Sequence, residues 1–326
     1  MTKVAVVILN YNGQKFLETF LPSVVIHNDG YEIIVADNAS TDDSVNLLKT
    51  KFADIKIIQL ANNDGFAGGY NNALKEIEAE YYILLNSDVE VTTNWTKSII
   101  DLMDTDKSIA ACQPKILSYQ QKTHFEYAGA AGGYIDWLGY PFCRGRIFDS
   151  YEEDKGQYND TKEIFWATGA CMFVRAEIFQ QLNGFDANFF AHMEEIDLCW
   201  RIKNQGNRIL YSSASTVYHV GGGTLHKSNP RKTFLNYRNG LAMLYKNLPS
   251  NRLFSTIFLR LILDGISGVK LLIDGSLADV WAIIKAHFAF YAMIPKLERK
   301  APKQVNQIYQ KSIVWEYFVK KQKPTI

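Results

Sequence analysis

The chain has 326 residues, of which 47% are hydrophobic and 21% charged, and its formal net charge is +1. This is the composition of a globular protein with a buried core, and it excludes disordered, collagen-like and coiled-coil chains. The net charge hides an imbalance, because residues 1–226 carry 18 basic and 29 acidic side chains and residues 227–326 carry 17 and 5. We therefore expect an acidic body and a basic tail that face different partners.

The first third of the chain predicts an α/β sheet. Short β-branched runs alternate with amphipathic stretches at the spacing of βαβ units. The predicted strands are 3–9, 32–37, 55–60, 81–86 and 108–113. The predicted helices between them are 14–27, 42–51, 67–79 and 93–104. Together they indicate an open nucleotide-binding sheet.

The next part is less regular. Residues 117–163 are rich in Gly, Tyr and charge and suit irregular hairpins or a long loop. After them we predict a buried strand at 164–174, helices at 175–182 and 193–205, strands at 208–211 and 216–220, and a flexible loop at 221–230. The four cysteines are widely spaced, which gives neither a zinc signature nor a disulfide framework and indicates a reducing, cytoplasmic compartment.

From residue 232 to about 300 the pattern is apolar and helical, but no window of 18 residues is free of charge, which argues against a membrane span. If this stretch is drawn as a helix, its polar residues fall within one arc of about 120°, and Leu, Ile, Phe and Val cover the remaining surface. The polar residues are Arg260, Asp264, Ser267, Lys270 and Asp274. Such a helix packs on the body, on a second subunit in a homodimer, or on a membrane surface. The basic runs KLERKAPK and KKQK favour an anionic membrane surface. Nucleic acid is not expected, since the body is acidic.

Three polar segments follow the first three predicted strands, where a parallel sheet would open a crevice. They are NYNG at 10–13, ADNASTDDS at 36–44 and NNDGFAGGYNNAL at 62–74. Asp37 can accept hydrogen bonds from a ribose or a base edge, although its neighbours also suit a helix cap. Gly65, Gly68 and Gly69 let the backbone pass close to a ligand, but their spacing is not that of a dinucleotide-binding loop.

Candidate metal ligands follow the fourth strand. The apolar run before Asn86-Ser87-Asp88 would present Asp88 to the crevice, where a carboxylate suits Mg²⁺ or Mn²⁺ on a diphosphate. A turn or helix cap is the alternative interpretation. His219, after a short strand and before a Gly-rich loop, is a candidate late ligand, although a single His is more often structural.

A carboxylate-rich segment, FFAHMEEIDLCWR, occupies residues 189–201. On a helix, Glu194 and Asp197 share a face and Glu195 points elsewhere, so one acid is expected to face the site. It could remove a proton from an attacking hydroxyl as a general base. The alternative is an acidic helix start stabilised by the helix dipole.

In order, VVILNYNG, VADNASTDDS, NDGFAGGYNNAL, LLNSDVE, ATGACMFVR, GFDANFFAHMEEIDLCWR and VYHVGGGT resemble family 2 glycosyltransferases, especially the rhamnosyltransferase-like bacterial branch. The resemblance covers about residues 3–245. It implies a glycosyltransferase A-type α/β fold with a mostly parallel sheet flanked by helices. Residues 1–230 would be catalytic, with a donor half at 1–113 and an acceptor half at 114–230. Residues 231–326 would be a helical, basic, amphipathic extension.

The implied reaction is the inverting transfer of a sugar from a nucleoside-diphosphate donor to a hydroxyl of a glycan or lipid-linked glycan. Rhamnose is a candidate for the sugar. The resemblance implies a role in cell-surface polysaccharide synthesis and Mg²⁺ or Mn²⁺ as the cofactor. The enzyme would act in the cytoplasm, on the inner face of the cytoplasmic membrane. Asp37 matches the residue that contacts the nucleotide base, and Asp88 and His219 match residues at the metal and diphosphate. The Glu194-Glu195 pair matches the acidic pair that holds the base, with Glu195 the first choice.

Further positions complete the implied site. The other donor-binding positions are Asn10, Asn12, Asn38, Gly65, Gly68, Gly69, Asn71, Asn86 and Ser87. Arg144 and Arg146 are loop cations that suit a phosphate, and solvated side chains are the alternative. Trp166, beside Thr168 and Gly169, could stack on the sugar or acceptor or belong to the core. Asn239, in YRN, recurs in the family without an assigned role.

Two departures from the family pattern stand out. Its Asp-any-Asp is here Asn86-Ser87-Asp88, which keeps an oxygen ligand but loses a charge, and the second acid of the pair is Glu195 rather than Asp. Two other classes compete. A nucleotidyltransferase would need a basic Gly-rich loop where NYNG stands, and a non-catalytic nucleotide-sugar-binding protein would not need Asp88, the acidic pair and His219 together.

Overall fold

A computed structural model describes residues 2–221, 229–299, 305 and 307–322. Most of the predicted loop at 221–230 and parts of both basic runs lie outside the described residues. The strands are β1 (Thr2–Asn10), β2 (Glu32–Asp37), β3 (Lys56–Gln59), β4 (Ala79–Asn86), β5 (Val89–Val91), β6 (Ile109–Ser118), β7 (Gly133–Ile135), β8 (Pro141–Cys143), β9 (Arg146–Ile147), β10 (Ser150–Tyr151), β11 (Thr161–Glu163), β12 (Cys171–Arg175) and β13 (Arg208–His219). The α-helices are α1 (Gln14–Ile26), α2 (Ser44–Lys51), α3 (Gly65–Leu74), α4 (Lys97–Thr105), α5 (Ala176–Gln181), α6 (Glu194–Asn204), α7 (Pro230–Asn247), α8 (Ser250–Ile273) and α9 (Leu277–Met293).

Within these residues a nine-stranded sheet runs β11-β13-β6-β12-β4-β1-β2-β3, and β5 also pairs with β13. The strands β3, β2, β1 and β4 are parallel, as predicted, whereas β12 runs antiparallel between β4 and β6. Successive residues of β1 enter different cores: Val6 packs on the side of α1 and α4, and Val7 on the side of α3. Both faces of the sheet are therefore covered, as its continuous apolar strands require.

The irregular middle of the chain forms a second sheet of four short strands, in the order β10-β9-β8-β7. The predicted strand at 164–174 begins only at Cys171, because Trp166 instead bridges Gly133 of this second sheet. The two strands predicted at 208–211 and 216–220 are one strand, β13, with a register shift between Ser212 and Thr216. Long-range pairing decides these differences. The four cysteines are free and buried.

Of the C-terminal helices, α7 contacts α6 and α9, and α8 contacts α7 and α9. Helix α8 also contacts the body directly, because Arg252 and Arg260 donate to the carbonyls of Trp137 and Leu138. Helix α8 buries its polar side and exposes its apolar side, the opposite of a helix on a water-exposed protein surface. Its buried residues are Thr256, Arg260, Asp264 and Gly268, and its exposed residues include Phe254, Phe258, Ile266, Val269 and Ile273. Among the described residues, one helical stretch, Leu277–Lys296, meets the length and hydropathy that crossing a membrane requires.

Candidate functional site

The carboxyl ends of β1 and β2 bring Asn10 and Asp37 together. The parallel register sets the two residues side by side, and Asn10 Nδ2 donates to Asp37 Oδ1 at 3.0 Å. Asp37 Oδ2 accepts from the backbone N–H of Ser40 at 3.0 Å, and Asn12 Oδ1 accepts from that of Thr41 at 2.7 Å. Asn10 Oδ1 is buried without a hydrogen-bond partner in the described structure. This strand edge therefore holds a buried polar acceptor whose hydrogen-bonding capacity is not used within the described structure.

The glycine segment of α3 packs against this edge. Asn38 Nδ2 donates to the Gly65 carbonyl at 2.9 Å, and a Cβ at Gly69 would lie 2.9 Å from the same nitrogen. Gly65 has φ +73°, and a Cβ there would collide with the carbonyl oxygen of Phe190. A Cβ at Gly68 would lie 2.6 Å from Cβ of Asp64. These glycines serve close packing within the protein, so contact with a ligand is not their only explanation.

Asp88 and His219 meet because β5 pairs with the end of β13, which sets His219 opposite Val89. Nε2 of His219 lies 3.2 Å from Oδ1 of Asp88 and 3.4 Å from Nδ2 of Asn86. Nδ1 of His219 lies 3.1 Å from Oε2 of Glu126, and all three ionisable side chains are buried. Ser87 lies near Gly13, so it joins the same edge.

The donor set of Asp88 and His219 fits a divalent metal. Burial opposes charge on the imidazole, but the carboxylates of Asp88 and Glu126 raise the pKa of His219 to about 10. The ring nitrogen facing Asp88 therefore carries a proton unless a metal cation replaces that proton between the two side chains. Glu126 on the far nitrogen is the partner that a metal-binding His typically has. Among the described residues, no group of three or more His, Cys, Asp or Glu side chains is arranged to hold a metal, so a bound diphosphate would have to supply further oxygens.

Glu194 and Glu195 open α6. Glu194 is buried and Glu195 partly exposed, and Oε2 of each is buried without a hydrogen-bond partner in the described structure. Burial and the neighbouring Glu195 hold the pKa of Glu194 well above its usual range, and burial raises the pKa of Glu195 to about 7. A carboxylate with a pKa near neutrality and a free oxygen has the properties of a general base.

Asp197 is bound within the fold. Its carboxylate lies 2.8 Å from Arg201 Nε and 2.9 Å from Lys246 Nζ, and Asn247 donates to it at 2.8 Å. Burial works against ionisation, but these cations hold the pKa of Asp197 below its usual value. Asp197 therefore links α6 to α7 through Lys246 and Asn247. Because its carboxylate is engaged by these partners, it does not suit the role of a base.

Two sets of contacts join the two acidic centres. The backbone N–H of Ala67 in α3 donates to the carbonyl of Phe190, three residues before Met193, the N-cap of α6. On the other side of α3, a Cβ at Gly169 would lie 2.9 Å from the Phe66 ring, and the backbone N–H of Asn86 donates to the carbonyl of Ala170. These contacts connect the loop before Glu194, through α3, to the strand end that precedes Asp88.

Several candidates have partners in the protein. Both ends of the Asn71 amide bond the backbone of Phe185, at 2.7 and 2.9 Å. Arg144 is buried and makes a bidentate pair with Asp160, at 2.8 and 2.6 Å. Trp166 is buried and donates to the Tyr134 carbonyl at 2.8 Å.

Thr168 and Gly169 stand closer to the predicted site. The backbone N–H of Asn86 donates to the carbonyl of Ala170, so this turn adjoins the Asp88 strand end. Thr168 is buried and bonds Gln113 and Ala170, and a Cβ at Gly169 would lie 2.9 Å from the Phe66 ring.

Arg146 lines a pocket with Tyr127, Phe148, Asp149, Lys232, Thr233 and Asn236. Its guanidinium stacks on Tyr127 at 3.3 Å, and Lys232 Nζ lies 5.4 Å from the same ring. Tyr127 follows Glu126, and the charge of Lys232 contributes, after burial, to lowering the pKa of His192 to about 4. This cationic pocket therefore adjoins the Asp88–His219 centre through Tyr127.

Sequence reasoning missed three residues near these centres: Glu126, Lys232 and His192. Glu126 stands in a segment without periodicity, and only its contact with His219 marks it. Lys232 falls in the helical, basic part of the chain, where its charge resembles that of its neighbours. His192 was visible inside the acidic segment, but the burial of its Nε2 without a hydrogen-bond partner among the described residues was not.

The nine-stranded sheet with its strand-end crevice is a glycosyltransferase A-type fold, as solved structures confirm. GalNAc-T7 with UDP, GalNAc and Mn²⁺ superposes with a TM-score of 0.58 at 18% identity, over 76% of this chain and 48% of that one. Staphylococcus aureus TarS 1–349 with UDP-GlcNAc superposes with a TM-score of 0.57 at 16% identity, over 90% and 82%.

The sequence family agrees. The model of glycosyl transferase family 2 matches residues 5–182, and the chain belongs to that family. An N-acetylglucosaminyl-diphospho-decaprenol L-rhamnosyltransferase of Mycobacterium tuberculosis is 23% identical over 230 residues, 66% of this chain and 75% of the relative. Rhamnosyltransferase WbbL of Escherichia coli K12 is 23% identical over 261 residues, 77% and 95% of the two chains. The predicted family and fold are confirmed.

Proposed function

We propose that this glycosyltransferase is metal-dependent and inverting, and that it moves a sugar from a nucleoside-diphosphate donor to a hydroxyl of a glycan or lipid-linked glycan. One observation carries the proposal: contacts through α3 and the turn at Gly169 connect the strand end before Asp88 with the loop before Glu194. Family membership favours glycosyl transfer over nucleotidyl transfer or simple binding.

The proposed chemistry is a single displacement. Glu195, or Glu194 in its place, takes the proton of the acceptor hydroxyl; the oxygen bonds the anomeric carbon; and the bond from that carbon to the diphosphate breaks with its electron pair on the diphosphate oxygen. Asp88 and His219 would hold Mg²⁺ or Mn²⁺, which supplies positive charge to the leaving diphosphate. Asp37 and Asn10 would bind the nucleoside.

The acceptor side is proposed from the cationic pocket. Arg146 and Lys232 line a pocket in which an anionic acceptor could bind. The rhamnosyltransferase relative is named for a diphosphate-linked lipid substrate, which is such an anion. Rhamnose is a proposed donor sugar on the same ground, and cell-surface polysaccharide synthesis is the proposed setting.

Donor hydrolysis and transfer with Mg²⁺ or Mn²⁺ test the base. A thermal-shift screen of nucleotide-sugars first identifies the donor, since bound ligand stabilises the folded state. We expect Glu195→Gln to lower kcat by roughly 10²–10⁴-fold while the nucleotide still binds. Glu194→Gln distinguishes the two acids, and Glu177→Gln, on α5, is the matched control. Unchanged turnover in both pair variants contradicts the proposed base.

We further propose that α8 and α9 rest on an anionic membrane surface on the cytoplasmic side. The apolar face of α8 is exposed, and Phe254 and Ile273 are 84% and 79% accessible. On α9, Trp281 and Phe288 are 58% and 73% accessible. So large an apolar face normally contacts lipid or protein, and basic residues beside it favour anionic lipid.

Flotation with phosphatidylglycerol and phosphatidylcholine vesicles tests this assignment. We expect binding to the anionic vesicles and its loss in a Phe258→Ser, Ile266→Ser, Ile273→Ser variant. Val25→Ser with Ile26→Ser, which changes exposed apolar residues of α1, is the matched control. A dimer that the triple variant dissociates, together with no vesicle binding, would assign the face to a second copy of the chain.

A further inference from the structure

The loop that leads into α6 is strained. Phe190, His192 and Met193 have φ values of +66°, +69° and +74°, a region that side chains other than glycine rarely adopt. Met193 is the N-cap of α6, so the strain ends directly at Glu194. Such a conformation costs free energy and persists only where surrounding contacts impose it.

Asn239 of α7 supplies those contacts. Its side chain is fully buried, and Nδ2 donates to the carbonyl oxygens of Phe189, Ala191 and His192, at 2.9, 2.9 and 2.8 Å. An amide has two N–H groups, so three carbonyls share them. Oδ1 accepts from Arg238 Nε at 2.8 Å, which orients the amide with its donors toward the loop.

The same loop faces the glycine segment of α3. The carbonyl of Phe190 accepts from Ala67, and its ring and oxygen leave no room for a side chain at Gly65. Strain, the amide of Asn239 and the contact with α3 therefore converge on the few residues before the acidic pair.

We propose that Asn239 is a positioning residue, which holds the 189–193 loop in its strained form and thereby sets where the Glu194 and Glu195 carboxylates point. The inference rests on the proposed role of this pair in catalysis. Asn239 touches neither carboxylate and acts through the loop backbone.

Asn239→Asp tests the proposal, because it keeps the shape of the side chain but sets oxygens against the three carbonyls. We expect kcat to fall by about 100-fold, as a displacement of about 1 Å can produce, while KM for the donor and nucleotide affinity change less than about threefold. Asn28→Asp is the matched control, since Asn28 also fastens a loop by bonding the backbone of Tyr31 on both sides, at 2.9 and 3.0 Å.

A pH profile separates positioning from general damage. A relaxed loop admits water to Glu195, so the acidic limb of kcat/KM should move to lower pH in the neutral variant Asn239→Ser and stay in place in Asn28→Asp. Asn239→Asp does not serve for this profile, because its added carboxylate acts in the opposite direction. The titratable groups around Glu195 are Glu194 and Cys199 on α6 and Cys143 on β8. The neutral Asn239→Ser variant provides a second, milder test.

Wild-type kcat in a folded Asn239→Asp protein, together with an unmoved limb in Asn239→Ser, would overturn the proposal. Unfolding of both Asn239 variants would also overturn it, since the residue would then serve the fold alone. If Glu194→Gln and Glu195→Gln keep turnover, the proposed base itself fails, whatever Asn239 does.

Discussion

Nδ1 of His219 lies 3.1 Å from Oε2 of Glu126, so the imidazole stands between that carboxylate and Asp88. The contact places Glu126, which no sequence pattern marked, at the proposed metal site. A carboxylate on the far nitrogen orients a His ring and makes the other nitrogen a better ligand.

Glu126→Gln should therefore weaken metal binding by roughly 10–100-fold, because the variant keeps the shape of the side chain but loses its charge. Mn²⁺ titration in the presence of UDP, GDP or dTDP measures the effect. Glu153→Gln, at a carboxylate paired with Lys155 on the surface, should leave the affinity unchanged. Equal Mn²⁺ affinity in wild type and Glu126→Gln would remove Glu126 from the site.

Catalysis should depend on pH through Glu195. Because burial raises the pKa of this group to about 7, its carboxylate takes up a proton as the pH falls through 7. The base is active when ionised, so kcat/KM should fall about tenfold per pH unit below about 7 and be level above it. A rate that stays level down to pH 5 would rule out Glu195 as the base.

Gly65→Ala and Gly30→Ala separate backbone strain from collision. Both glycines have positive φ, +73° and +84°, so each substitution should cost about 1–2 kcal/mol of unfolding free energy. Only Gly65 faces Phe190, whereas nothing lies within 4 Å of a Cβ at Gly30. Urea unfolding and donor binding should show a larger stability loss and weaker binding for Gly65→Ala alone; equal effects would show that the contact with Phe190 is unimportant.

The two arginines predicted as loop cations should behave differently. Arg144→Met removes a buried guanidinium that pairs with the exposed carboxylate of Asp160, and it should cost about 2 kcal/mol in urea unfolding, with the donor KM unchanged. Arg146→Met should lower the unfolding free energy by less. It should raise the acceptor KM about tenfold, because one charge-assisted contact with the acceptor is lost. If instead Arg144→Met raises a substrate KM in folded protein, Arg144 reaches the ligand.

The sequence alone located the parallel half of the sheet and its polar strand ends. Strand and helix periods are local, and polar residues that end an apolar strand lie at one edge of a parallel sheet. Predicted strand 32–37 coincides with β2, and Asn10 and Asp37 lie side by side as that topology requires. Asp88 and the Glu194-Glu195 pair, which are far apart along the chain, could also be predicted as site residues, because the order of their motifs resembles that of a known family.

Only the tertiary structure decided which polar residues remain available. Arg144 and Arg146 are two residues apart in one motif, yet Asp160 occupies the first while the second lines a pocket. Glu126 and Asn239 acquire partners through contacts between distant segments, which no periodicity encodes. The polar arc of α8 was readable from sequence, but its inward direction was not: Arg260 and Asp264 turn to Leu138 and His287, because buried charges need partners and the apolar residues are left facing outward.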